Sequence, residues 1–309
     1  MFKAARVLVL ALAAGGLGAC GSLSGFDGIL TGSIDSNPAI QQAAPGKVYV
    51  FRGMGGQFAT LELDRLGEKL VKVGVNAEVF NHLNWRAPAD QAIKRYKSES
   101  MKSPIILVGH SAGADAALRF ANALKDEKVP VSLIIGFDPT RLSFNVPNNV
   151  DRYINIYSSW NFFGGGNVSP GSDFHGHFAS VDFKWYWEVL HVNLVRIDGL
   201  MDKVIAKIVQ ATNFPPPLDG PTVPIKYAMP RGAAIELWDS GLPIRTEPGD
   251  TVKSVAERYA VPAWAVAQLN GIETWTRLEP GRRLIVPRNL DALAPGGSPP
   301  LTSYVGKDH

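Results

Sequence analysis

The chain has 309 residues, 46% of them hydrophobic and 19% charged, with a formal net charge of +3. That length allows one large domain and a small one, and the balanced charge, with no long basic run, gives no reason to invoke nucleic acid. A single cysteine excludes an internal disulfide and a cysteine-based zinc site, and nothing else calls for a metal or a cofactor.

The chain opens with Lys3 and Arg6, then an apolar run over residues 7–17, then Gly18, Ala19 and Cys20. A short basic start, a short apolar stretch and small residues predict an export signal over residues 1–20, because the run is too short to span a membrane stably. Leu17-Gly18-Ala19-Cys20 resembles the lipobox of bacterial lipoproteins. The resemblance implies that Cys20 is lipidated and anchors the protein through acyl chains. Gly21, where an Asp would retain the protein at the inner membrane of related bacteria, points to the outer membrane, facing the periplasm. Residues 21–45 are rich in small and polar residues without a period and predict a tether.

From Lys47 the pattern becomes strand-like, with Val48, Tyr49, Val50 and Phe51 in a row. A strand over 47–51 ends in Arg52-Gly53-Met54-Gly55-Gly56, and a helix over 57–72 carries Leu61, Leu66, Leu70 and Val73. A strand over 77–80 leads to Asn81, His82, Asn84 and Trp85, a polar loop that either lines a pocket mouth or is only a loop. A helix over 88–98 follows. Apolar strands are expected at 103–108, 131–137 and 153–157, with an alanine-rich helix ending near Lys125 between the first two. Continuous apolar strands alternating with helices predict an α/β domain, a mostly parallel sheet flanked by helices, over residues 46–211. Residues 158–183 read as a long irregular loop, followed by the aromatics Phe183, Trp185, Tyr186 and Trp187. A helix over 194–210 is expected, with Asn193 as its N-cap. Residues 212–241, broken by Pro215-Pro216-Pro217, read as a Pro-rich linker. A compact segment follows over 242–288, and the Gly/Pro/Ser-bearing residues 289–309 predict a disordered tail.

The chemistry centres on Gly109-His110-Ser111-Ala112-Gly113. This is the G-x-S-x-G pattern, with an apolar strand before it and a helix after it. A corner that sharp needs small residues on either side of the serine. It lifts the hydroxyl above the sheet edge, beside free N–H groups of the helix. Serine needs a base, and the base needs an orienting acid. In the chain order Ser, acid, His, three histidines remain as the base: His191 at the end of the domain, and His175 and His177 in the long loop. Asp138, closing an apolar strand, is the leading acid, with Asp173 the alternative. The oxyanion donors are expected to be the N–H of Ala112 and one from Gly53 or Met54. The glycines of that loop are not spaced as G-x-G-x-x-G and no Lys-Ser/Thr follows, so a phosphate loop is rejected.

Gly136-Phe137-Asp138-Pro139 resembles the Gly-Leu-Asp-Pro segment of animal lipases, where the aspartate is the triad acid. Residues 46–211 thus resemble the serine α/β-hydrolases, in a small form close to lipases, cutinases and thioesterases. The resemblance implies hydrolysis of an ester or thioester, of a small molecule or a lipid, through an acyl-serine at Ser111.

Residues 242–288 resemble a LysM domain over most of their length. The matching runs are Pro248-Gly249-Asp250-Thr251, Leu269-Asn270-Gly271-Ile272 and Leu278-Glu279-Pro280-Gly281 through Leu284-Ile285-Val286-Pro287. The resemblance implies a small βααβ domain that binds peptidoglycan or another N-acetylglucosamine-containing glycan, through Gly249, Asp250, Thr251, Asn270, Gly271 and Ile272. Two rival readings stay open: a deacylase that tailors peptidoglycan, and a non-catalytic anchor between membrane and wall on a degenerate hydrolase fold.

Overall fold

The computed structural model describes residues 46–54, 61–162, 166, 168–197, 199–213, 218 and 220–289. The expected signal, Cys20, the tether, Gly55, Gly56, the Pro215–Pro217 run and all of the tail after Asn289 lie outside them.

Among the described residues, seven strands form one parallel sheet in the order β2-β1-β3-β4-β5-β6-β7. They are β1 (Lys47–Arg52), β2 (Asn76–Asn81), β3 (Ile105–His110), β4 (Leu133–Phe137), β5 (Arg152–Tyr157), β6 (His177–Asp182) and β7 (Ile225–Ala228). Helices α1 (Leu61–Lys72) and α4 (Leu200–Asn213) cover one face, and α2 (Arg86–Ser98) and α3 (Ala112–Asp126) the other. The two-residue strand period explains the layering. Val48 and Val50 of β1, with Ile106 and Val108 of β3, pack with Leu63, Leu66 and Leu70 of α1. Their neighbours Tyr49, Phe51, Ile105 and Leu107 pack with Ala117, Phe120 and Leu124 of α3. Strand order reverses at β1, so the loops after β1 and β3 open a crevice at the carboxyl ends of the strands.

Three expectations are corrected. Residues 158–183 are not all loop, because their end is β6, which pairs with β5 from Arg152↔His177 to Tyr157↔Asp182. The buried polar residues His177, Ser180 and Asp182 hide the strand's apolar pattern. The helix expected over 194–210 starts late: Leu194–Arg196 is a 3-10 turn, Gly199 takes φ +75°, and only then does α4 begin. Asn193 does not cap it; its side-chain oxygen accepts from the Leu190 N–H at 2.6 Å.

The stretch 212–241 is also more than a linker. It supplies β7, which pairs with β6 from Ala179↔Ile225 to Asp182↔Ala228, and it buries Trp238. The C-terminal module has β8 (Ser240–Arg245), α5 (Val252–Arg258), α6 (Ala263–Asn270) and β9 (Arg283–Arg288), with β8 and β9 antiparallel. Thr251 and Ser254 form a reciprocal capping box at the start of α5. The module has its own small core, including Val252, Val255, Leu284 and Val286. It is also seated on the larger domain. Trp264 of α6 lies 5.6 Å from Trp238, which lies 4.6 Å from Tyr227. The Gln268 amide accepts from the Ala228 N–H and donates to the Ala228 carbonyl at 3.1 Å. Sheet and module therefore form one compact unit.

Candidate active site

Ser111 stands at the corner between β3 and α3 with φ 55° and ψ −126°, a conformation that a non-glycine residue holds only where its surroundings enforce it. Both flanking glycines are required by contact. A Cβ on Gly109 would sit 2.2 Å from the Gly113 carbonyl oxygen, and one on Gly113 would sit 2.0 Å from that of Phe51. The start of α3 therefore crosses β1 and β3 at backbone contact distance. The Ser111 N–H donates to the Phe137 carbonyl at 2.8 Å, tying the corner to the end of β4. Its hydroxyl makes no capping bond to α3.

Asp138 follows β4 directly, fully buried and at φ 44°. Its Oδ2 accepts from His191 Nδ1 at 2.7 Å and from Asn161 Nδ2 at 2.7 Å. The first bond fixes the His191 tautomer, with the proton on Nδ1 and a lone pair on Nε2. The structure thus joins Asp138 to His191, residues 53 positions apart in sequence.

His110, set aside as a base by chain order, sits between the corner and His191. Its Nε2 donates to the His191 carbonyl at 2.7 Å, and the two imidazoles lie 4.8 Å apart. Burial, and then the neighbouring His191, lower its pKa from 6.5 to about 4. The ring is therefore neutral near pH 7, and it clamps the backbone of the segment that carries His191. Gly53 is packed against the same corner: a Cβ there would lie 3.0 Å from the His110 carbonyl and 3.1 Å from the Ser111 Cβ. Ala112 opens α3, and Met54 is exposed beside Gly53. Asp115, in the first turn of α3, accepts from Thr140 N–H at 3.3 Å and Thr140 Oγ1 at 2.6 Å, and from Ser143, which pins the loop after Asp138.

The alternative acid and bases lie elsewhere. His177 begins β6 at the amino end of the sheet, opposite the crevice, and its Nδ1 is 2.8 Å from Ser240 Oγ. Asp173 accepts from Asn148 at 2.8 Å and pairs with Lys125 at the far end of α3, so that loop, with His175 in it, runs along the opposite edge from Ser111. All three are corrected as members of the site. Asn81 caps a 3-10 turn over His82–Asn84 after β2, and Trp85 packs on the α2/α3 side of the core. No group of His, Cys, Asp and Glu among the described residues is arranged to hold a metal ion.

Sequence reasoning missed Asn161, His110 and Asp115 as supports. Asn161 carried no motif. For His110, chain order excludes a role as base and says nothing of a support. Asp115 stands two residues beyond the elbow glycine, where an acidic residue reads as an ordinary favourable charge at a helix start.

In the C-terminal module, Gly249 at φ +85° and Gly271 at φ +59° make the two exposed corners of the expected glycan loops. Two expected contact side chains are engaged internally instead. Asn270 donates to the carbonyls of Val266 and Ile285, both at 2.7 Å, and accepts from the Ile285 N–H at 2.8 Å. Asp250 accepts from the Glu247 N–H at 2.8 Å and from Arg258. Burial works to raise its pKa, but these hydrogen bonds hold it below the usual carboxylate range. Thr251 is the cap of α5. Gly249, Thr251 and Gly271 are exposed and Ile272 half-buried, and with the loop backbone they remain as the accessible surface.

Compared with known families, residues 244–287 match the LysM domain. Those residues are a LysM domain. No curated protein matches the chain in sequence. Among solved structures, a protein assigned to the hydrolases of the alpha/beta superfamily from Xanthomonas campestris pv. campestris aligns at 14% identity and a TM-score of 0.33, over 53% of this chain and 96% of that one. Est1E from Butyrivibrio proteoclasticus aligns at 12% identity and a TM-score of 0.34, over 54% and 86%. Likeness at this level says nothing of chemistry, which has to come from the site's own residues. No described helix is long and apolar enough to cross a membrane.

Proposed function

We propose that the protein is an exported, lipid-anchored serine hydrolase that cleaves an ester or thioester and is held at peptidoglycan by its LysM domain. The observation that carries the catalytic half is Asp138–His191 at 2.7 Å beside a serine forced to φ 55°. In the reaction, Ser111 Oγ attacks the acyl carbon while its proton passes to His191 Nε2. Asp138 holds the Nδ1 proton and stabilises the imidazolium. The N–H groups of Ala112 and of Gly53 or Met54 receive the developing oxyanion. His191 returns the proton to the leaving alkoxide or thiolate. Water, deprotonated by the same nitrogen, then releases the acid and restores Ser111.

The LysM match supports the glycan half of the reading, since domains of this family bind N-acetylglucosamine polymers. The anchor rests on Cys20 in its lipobox-like context, and with it goes a place in the cell envelope, at the outer membrane. Because the LysM domain is packed on the catalytic sheet, removal of acyl groups from peptidoglycan itself is the second reading.

A fluorophosphonate probe should label the parent protein and leave Ser111→Ala unlabelled. Equal labelling of both would reject the nucleophile. Turnover of p-nitrophenyl esters of increasing length would rank acyl chains. The full chain should sediment with insoluble peptidoglycan and be displaced by chitin oligosaccharides; failure to sediment would remove the glycan half alone.

A further inference from the structure

Three loops at the crevice repeat one arrangement. In Leu142-Ser143-Phe144, Trp160-Asn161-Phe162 and Leu190-His191-Val192, a polar residue turns inward and its two apolar neighbours turn out. Ser143 binds Asp115, while Asn161 and His191 both bind Asp138. Asn161 is 7% exposed, but its neighbours Trp160 and Phe162 are 67% and 76% exposed. Surface segments normally present the opposite pattern, with polar residues outward. Met54 on the loop after β1, and Trp185 and Trp187 on the loop after β6, extend the exposed apolar surface around the same centre. Exposed large apolar residues elsewhere, such as Val71, Met101 and Trp275, stand scattered. Exposed apolar residues gathered on the loops at one end of the sheet mark an interaction surface.

The charges on this rim choose its occupant. Arg141 lies 5.2 Å from the ring centre of Phe162, Lys184 lies 4.8 Å from that of Trp185, and Arg231 lies 5.7 Å from that of Trp187. Glu188, the acidic residue of the His191 loop, is paired to Arg231 at 2.9 Å. Aromatic rings with cations beside them suit the headgroup level of a bilayer, where ring and charge each find their own medium. A second copy of the chain meeting this face would set the same cations against each other and seal the crevice.

We propose that this rim docks on an anionic lipid surface. Ser111 then faces the surface, so the acyl substrate is a lipid ester or thioester entering from it. This last step rests on the hydrolase reading, whereas the docking does not.

The test uses the full chain carrying Ser111→Ala, so that binding is read without turnover, and Cys20→Ser, so that no acyl anchor contributes. Co-sedimentation is measured with vesicles of equal parts phosphatidylglycerol and phosphatidylcholine, and with phosphatidylcholine alone. Binding is expected to the anionic vesicles, weakened by salt. Replacing Trp160, Phe162, Trp185 and Trp187 together by serine should lower it roughly tenfold or more, with the thermal melt checked for an intact fold. A pairwise variant, Trp185→Ser with Trp187→Ser, gives a smaller loss in a milder background. The proposal is overturned by equal partition of parent and variants, by no binding to anionic vesicles, or by a vesicle-independent dimer that the same substitutions abolish. Fluorophosphonate labelling on the Ser111-containing protein separates the two readings: docking without labelling would leave the surface and reject the hydrolase, and labelling without docking the reverse.

Discussion

His110 offers the sharpest quantitative test, because its state is fixed by burial rather than by motif. Unfolded, its imidazole takes up a proton near pH 6.5; folded, it does so only near 4. Between those values the unfolded chain binds more protons, so folded stability falls as pH falls. The loss runs at about 1.4 kcal/mol per pH unit and reaches about 3 kcal/mol near the lower value, where the folded ring also protonates and the loss stops. His110→Gln removes the titration and can keep an N–H near the Nε2 position to donate to the His191 carbonyl. Denaturant unfolding followed from about pH 7 down to 4 should show the parent losing about 3 kcal/mol more than this variant. His110→Leu should instead lose about 1–3 kcal/mol already at neutral pH, because the His191 carbonyl is left without its donor. Parallel pH curves for the parent and His110→Gln would refute the assignment of a buried neutral ring.

Two other outcomes follow from contacts already described. Asn161→Ala removes one of the two donors to Asp138 Oδ2, so kcat should fall about tenfold with KM little changed, since the group touches the acid and not the substrate; an unchanged kcat in steady-state assays would show that the His191 bond alone positions the carboxylate. Gln268→Ala leaves the Ala228 N–H without its partner, and calorimetry should show a loss of about 1–3 kcal/mol in the single transition of sheet and LysM domain together. Two independent transitions would mean that the domains merely touch.

The parts of the chain that read correctly were those whose pattern was local. The runs of β1, β3 and β4 are apolar on both faces, so they announce buried parallel strands without help from the rest of the fold. The elbow is legible for the same reason, since its two glycines answer contacts within a few residues and with the neighbouring strand. The LysM domain repeats its turns and strand ends in order. What stayed hidden was set by distant partners. β6 carries polar residues because each has a partner distant in sequence: His177 meets Ser240, Ser180 accepts from the Asn155 amide and Asp182 from the Ser159 N–H. β7 is only four residues long in a proline-rich setting, and it is a strand because β6 offers it an edge. His175 and His177 share a loop-like sequence context with Asp173, and only the direction of β6 shows that they lie at the wrong end of the sheet. Asn161 and His110 act through a carboxylate and a carbonyl far away in sequence.

Gln268 also bears on reach. A binding domain on a flexible linker lets its enzyme sweep a volume whose effective concentration is set by linker length. Here the second domain is fastened by a side-chain amide that bonds both backbone groups of Ala228, as a neighbouring strand would, and by the Tyr227–Trp238–Trp264 stack. Among the described residues, these contacts hold the two centres in one arrangement. Whatever polymer the LysM loops hold, the crevice meets it at one distance and one angle. Bonds at that offset are presented at high local concentration, and bonds elsewhere on the same strand are not presented at all.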